Sequence, residues 1–146
     1  MVQKPSFLKV GLYLFTKYLV FFIVLAFLDK RYKTIVLGNA KNADDIVLGS
    51  FEYLLEVLFA TFLLILVLSI PVYLLFKLNN ITCTLLAFFA LITVEYFIYE
   101  AAASYIHFDI DGVINGFISV IFFPIFFGKF IASLRFAKKN KQYNHS

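Results

Sequence analysis

Four long apolar runs fill this chain, at roughly 8–28, 51–76, 81–104 and 113–134. Each is long enough to cross a bilayer, which takes about 20 predominantly apolar residues. The hydrophobic share is 62% without counting glycine, against roughly 45–50% with glycine included in soluble domains. A small soluble domain cannot bury that excess, because much of its surface stays wet. The expected fold class is therefore all-α: a polytopic membrane protein built as a four-transmembrane-helix bundle. Residues 1–146 form one membrane domain, with a solvated cytoplasmic tail at 135–146.

The first run has Lys4 and Lys9 ahead of an apolar stretch, as a secretory signal would. The stretch continues over 10–28, however, longer than the usual signal core of about 7–15 residues. It ends in Phe27-Leu28-Asp29 and lacks a small-x-small cleavage site. It reads as a retained anchor. The 29–50 segment contains Ile-Val-Leu-Gly twice, too little for an internal repeat, and its apolar patches are placed to dip into the headgroup region. Asn42 or Asp44 suits a helix cap, so the second helix is expected to start near Asp45 and to outrun the bilayer. Pro71 is expected to kink it. Leu78-Asn79-Asn80 makes a tight turn into span three, and Pro124 interrupts span four.

With four spans, both termini share one side. That side collects nine basic residues, Lys4, Lys9, Lys17, Lys77, Lys129, Arg135, Lys138, Lys139 and Lys141, against four in the first loop, Lys30, Arg31, Lys33 and Lys41. The excess of Lys and Arg sets the termini in the cytoplasm, most simply at the plasma (inner) membrane. The same rule accounts for the net charge of +4 without nucleic acid as a partner.

All nine acidic residues fall in the outer half of this layout. Glu52 and Glu56, one turn apart, form an outer acidic cluster with Asp109 and Asp111. Such a vestibule would concentrate cations or dock a basic partner. The plainer account is that outer loops need polar groups and the basic ones are excluded. Glu95 is the sharpest single residue. It lies well inside span three, where an ionisable group costs a few kcal/mol unless it faces protein or water. Tyr99 is one turn on and is placed to donate to it. With that partner, Glu95→Gln would be nearly silent. Glu100 is closer to the surface and about 140° around the helix from Glu95, which argues against a paired-carboxylate site. Lys17 lies inside span one, and its stem is expected to carry the ammonium toward the nearer interface. The alternative is a carboxylate partner on a neighbouring helix.

Gly112 and Gly116 stand four apart in span four, as do Gly128 and Ala132. Small residues at that spacing let helices approach closely. Gly112 and Gly116 should lie beside the Ala101-Ala102-Ala103-Ser104 end of span three, with self-association through the same face as the alternative. Asn115 in that turn is placed to bond across helices.

One cysteine, Cys83, excludes an intrachain disulfide, and two distant histidines make a structural zinc site untenable. No His-Glu-x-x-His, Gly-x-Ser-x-Gly or glycine-rich phosphate loop is present. The expectation is no catalytic residue, no metal and no cofactor. The partners expected are the lipid bilayer and either another membrane protein or a further copy of this chain. The favoured role is an accessory or immunity-type subunit. The alternative is an oligomeric channel or small transporter passing protons or cations by Glu95 and Glu100.

The opening Phe7-Leu8-Lys9-Val10-Gly11 resembles the start of the small four-span GtrA-like proteins, which are linked to translocation of lipid-carried sugars. Those proteins carry an Asn-Phe and Arg pattern at the ends of spans two and four. Residues 71–77 and 128–135 do not supply it, so the resemblance stops at the opening segment. In size and layout the chain is also similar to four-span immunity proteins that guard against pore-forming bacteriocins. That likeness is of architecture and does not carry function with it.

Overall fold

The computed structural model describes residues 4–28, 32–102 and 110–143, and their side chains except those of 99–102, 110 and 137–143. These residues form α1 (Phe7–Leu28), a π-helical turn (Lys33–Leu37), α2 (Ala43–Leu75), α3 (Ile81–Ala102) and α4 (Ile110–Tyr143). All four α-helices are long and apolar enough to cross a membrane. The described residues contain no strand. The protein is an all-α, four-helix membrane bundle.

Local chemistry sets the helix ends. Asn42 caps α2: its side chain accepts from the Asp45 backbone N–H at 2.9 Å, and the Asp45 carboxylate accepts from the Lys41 N–H at 2.9 Å. These bonds satisfy donors that the first turn leaves open. From Ala43 the helix runs 33 residues, about 50 Å at 1.5 Å per residue, well beyond a hydrocarbon core of about 30 Å. Its N-terminal end carries the first loop. There Val36 packs on Gly49, and Tyr32 bonds the Ser50 hydroxyl at 2.8 Å. At the other end Asn80 starts α3, accepting from the Thr82 N–H through its side chain at 2.9 Å.

One feature of α4 differs from the sequence expectation: the helix passes through Pro124 without a break. It also continues to Tyr143, so the tail expected from 135 onward is helical that far. In lipid a freed carbonyl has no water to turn to, so the helix bridges its proline through neighbouring groups. Beyond Leu134, the run Arg-Phe-Ala-Lys-Lys-Asn-Lys-Gln is rich in good helix formers.

The helices close into a ring. α1 packs on α2 and α4, α3 packs on α4, and the α2–α3 seam is the lightest contact. Each helix buries one stripe. On α1 it is Val10, Tyr13, Leu14, Lys17, Tyr18, Phe21 and Leu25, the 3.6-residue spacing of one face. Toward the N-terminal ends of α1 and α3 the core is an aromatic plug. Phe88 stacks on Phe123 with centroids 3.9 Å apart, and Phe76 and Tyr13 meet Phe127 at 4.4 and 5.1 Å. Within lipid the hydrophobic effect does not draw helices together, so van der Waals packing of this kind and buried polar contacts must do so.

Candidate functional site

Polar residues that cannot reach water collect inside the bundle. Lys17 lies about 15 Å along α1 and Glu95 about 20 Å along α3 at 1.5 Å per residue. Both are buried, at 1% and 4% exposure. The Lys17 ammonium donates to Glu95 Oε2 and forms an ion pair with it. The same oxygen accepts from Asn115 Nδ2 on α4 at 2.6 Å. Lys17 Nζ also donates to the Tyr18 hydroxyl at 3.4 Å and lies 4.5 Å from that ring's centroid. Tyr13 faces Ser119 and lies within electrostatic range of Glu95. The Ser119 hydroxyl donates to the Asn115 carbonyl at 2.8 Å.

α1 and α3 are not ring neighbours. The Lys17–Glu95 pair therefore crosses the bundle diagonally, and Asn115 ties in α4. Lys17 does not run to an interface; its ammonium stays at depth because a carboxylate meets it there. Desolvating two such charges is costly, and only close pairing with further hydrogen bonds offsets it. Both are present.

The other sequence candidates scatter. The side chains of Tyr99 and Glu100, and the whole of Asp109, lie outside the described residues, as do Lys30 and Arg31. Asp111 opens α4 in its first turn. Glu52 and Glu56 join Asp45 around a cavity of about 270 Å³ between the π-helical turn and α2. Among the described residues no group of three or more His, Cys, Asp or Glu is placed to hold a metal ion. Gly112 accepts the Tyr96 ring, where a Cβ would sit 2.6 Å from Cδ2, and Gly116 meets Ile92. The small-residue face of α4 is thus filled by α3 of the same chain, through those two side chains. Gly128 faces open space and Ala132 is exposed.

Sequence reasoning singled out Lys17, Glu95 and Asn115 separately and did not join them. It missed Tyr13, Tyr18 and Ser119. The signal was the shared stripe: Tyr13, Lys17 and Tyr18 on α1, Thr84 and Glu95 on α3, Asn115 and Ser119 on α4 are all buried. The buried Thr84 and Ser119 hydroxyls, like the outward Thr93 and Thr16, bond the carbonyl four residues back.

Comparison with known proteins finds no matching family model, no matching curated protein and no matching solved structure.

Proposed function

We propose that the protein is a non-catalytic membrane subunit, of the accessory or immunity type, that acts by docking a transmembrane helix of another membrane protein. The observation that carries this reading is the α2–α3 seam. A groove of about 350 Å³ opens sideways there between Pro71, Leu74 and Leu75 on α2, Leu78 in the turn after it, and Ala87, Ala90 and Val94 on α3. Ala87 and Ala90 would let a further helix backbone approach closely. The buried charges support the same reading, since Glu95 already has Lys17 and Asn115 as partners and is not a vacant cation ligand. A photo-crosslinker at Ala90, with co-purification after mild detergent extraction, tests it. One defined membrane protein should be captured at Ala90 and not at an exposed lipid-facing site such as Phe59. A chain that stays alone under both treatments overturns the reading. We further propose the plasma (inner) membrane with both termini cytoplasmic, supported by the nine-to-four distribution of basic residues. A side-specific label at Asn39 should react only from outside.

A second reading, an oligomeric proton or cation transporter, is favoured by one observation. Ionisable groups deep in a span often mark proton relays, and Lys17 and Glu95 are such a pair. It requires vesicles holding the protein to leak more than empty ones, and Glu95→Gln to abolish that flux while assembly persists.

A further inference from the structure

We propose that the cavity between the start of α1 and α4 binds the phosphate of an anionic phospholipid. The cavity measures about 360 Å³, and Lys4, Ser6, Lys9, Phe127, Lys129 and Phe130 line it. Three lysines therefore line one hollow: Lys4 just ahead of α1, Lys9 on α1 and Lys129 on α4, far apart in sequence. No carboxylate is among the lining residues. Among the described residues none of the three lysines has an ion-pair partner. Lys9 Nζ reaches across to α4, 6.0 Å from the Phe127 ring centroid.

The start of α1 opens on the same space. Ser6 accepts the Lys9 N–H through its side chain at 3.3 Å and the Val10 N–H through its carbonyl at 3.2 Å. The helix end nevertheless presents the positive pole of a 22-residue dipole to the cavity. Phe127 and Phe130, both nearly fully buried, give it an aromatic wall. The topological preference for basic residues on one side explains lysines anywhere along that interface. It does not explain three of them around one hollow backed by aromatic rings. Basic pockets between transmembrane helices suit acidic lipid headgroups. A lipid reaches this one by lateral diffusion, with its phosphate among the lysines and its chains left in the apolar layer beside α1. The cavity at the opposite face, lined by Asp45, Glu52 and Glu56, would repel the same headgroup.

The full chain in mild detergent is titrated with phosphatidylglycerol, phosphatidylcholine or inorganic phosphate. Binding is read as the rise in thermal unfolding temperature and as retained lipid by native mass spectrometry. Phosphatidylglycerol should saturate a site. Lys9→Gln/Lys129→Gln should weaken it about 25-fold, at about fivefold per lysine. Lys33→Gln/Lys41→Gln, with the same loss of charge at the other face, should leave it unchanged. Lys9→Arg/Lys129→Arg should keep binding, which separates loss of charge from loss of fold. All the mutated lysines are exposed, so each variant should fold. Equal response to phosphatidylcholine, equal weakening by both glutamine pairs, or full competition by inorganic phosphate alone would each overturn the proposal.

Discussion

A double-mutant cycle on Lys17 and Glu95 tests whether the diagonal pair holds the bundle together. Glu95→Gln keeps the shape of the side chain and removes its charge. The Lys17 ammonium is 1% exposed and cannot then reach water without opening the bundle. Breaking one side of a buried pair costs about 3–5 kcal/mol in soluble proteins, and a charged side chain at the centre of a transmembrane helix about 2.5–3.5. We therefore expect a loss of about 3 kcal/mol for Glu95→Gln. Lys17→Met should cost a similar amount, because among the described residues it leaves the carboxylate with only the Asn115 amide at 2.6 Å. The double variant removes both charges and should cost only about 1 kcal/mol, the scale of losing well-packed polar groups in favour of apolar ones. The coupling energy is then several kcal/mol. Neutral interhelical hydrogen bonds couple by only about 0.6 kcal/mol on average, so the two cases separate cleanly.

The chain has no Trp, but Cys83 is single and exposed on α3. A dye there reports unfolding in an SDS titration of mixed micelles. Additive single variants, with coupling near or below about 0.6 kcal/mol, would refute the argument. The test also reverses the sequence expectation. With Tyr99 as its partner Glu95→Gln would be nearly silent; with Lys17 as its partner it is damaging.

Three further changes probe packing and capping. Gly112→Ala sets a Cβ against the Tyr96 ring at 2.6 Å and should destabilise by about 1–3 kcal/mol. Gly128→Ala, which meets nothing within 4 Å, should stay within about 0.5 kcal/mol in the same titration. Asn42→Ala removes the acceptor of the Asp45 N–H and should cost about 1 kcal/mol. Hydrogen exchange should then quicken at residues 43–46 and not at the Leu75 end of α2.

The fold was legible because the bilayer restricts the choices. An apolar run of span length reads as a helix, and Asn42 and Asn80 mark ends through bonds that depend only on near neighbours. Pro124 misled because a rule from water was applied where a helix has no alternative. The candidate site was legible residue by residue and not as a unit. Glu95 stands out by depth alone. Lys17 did not, because snorkelling and pairing make the same demand on a sequence: one lysine in an apolar run. Choosing between them requires the order of the helices around the ring, and a span that is apolar on every side gives no amphipathic signal to fix it. The partial signal was the alignment of polar residues on one stripe, since an ionisable side chain deep in a span must face protein or water.

That alignment raises the question of what the pair contributes beyond stability. Replacing a buried ion pair with apolar groups often costs little, so stability alone does not explain its retention. Without a hydrophobic force between helices, smooth apolar faces would let α1 and α3 rotate or slide. A bond across the diagonal admits one rotation and one depth for each. If specificity is the contribution, the position of the charges matters more than which helix carries which sign. The exchange Lys17→Glu/Glu95→Lys tests this. Glu95→Lys alone sets two ammonium groups against each other and should prevent stable folding. The exchange restores opposite charges, and Asn115, whose Oδ1 has no partner among the described residues, can turn its amide to accept from the new ammonium. Rescue should be incomplete, because Tyr18 loses a cation 4.5 Å from its ring, a contact worth about 2 kcal/mol when desolvated. A pair of engineered cysteines on α1 and α4, with Cys83→Ser, should form the same crosslink in the exchanged chain as in the wild type. In Lys17→Met/Glu95→Gln the crosslink should spread over neighbouring positions. If the exchange is no better than Glu95→Lys alone, or the neutral pair crosslinks as sharply as the wild type, the ion pair does not set the register of the bundle.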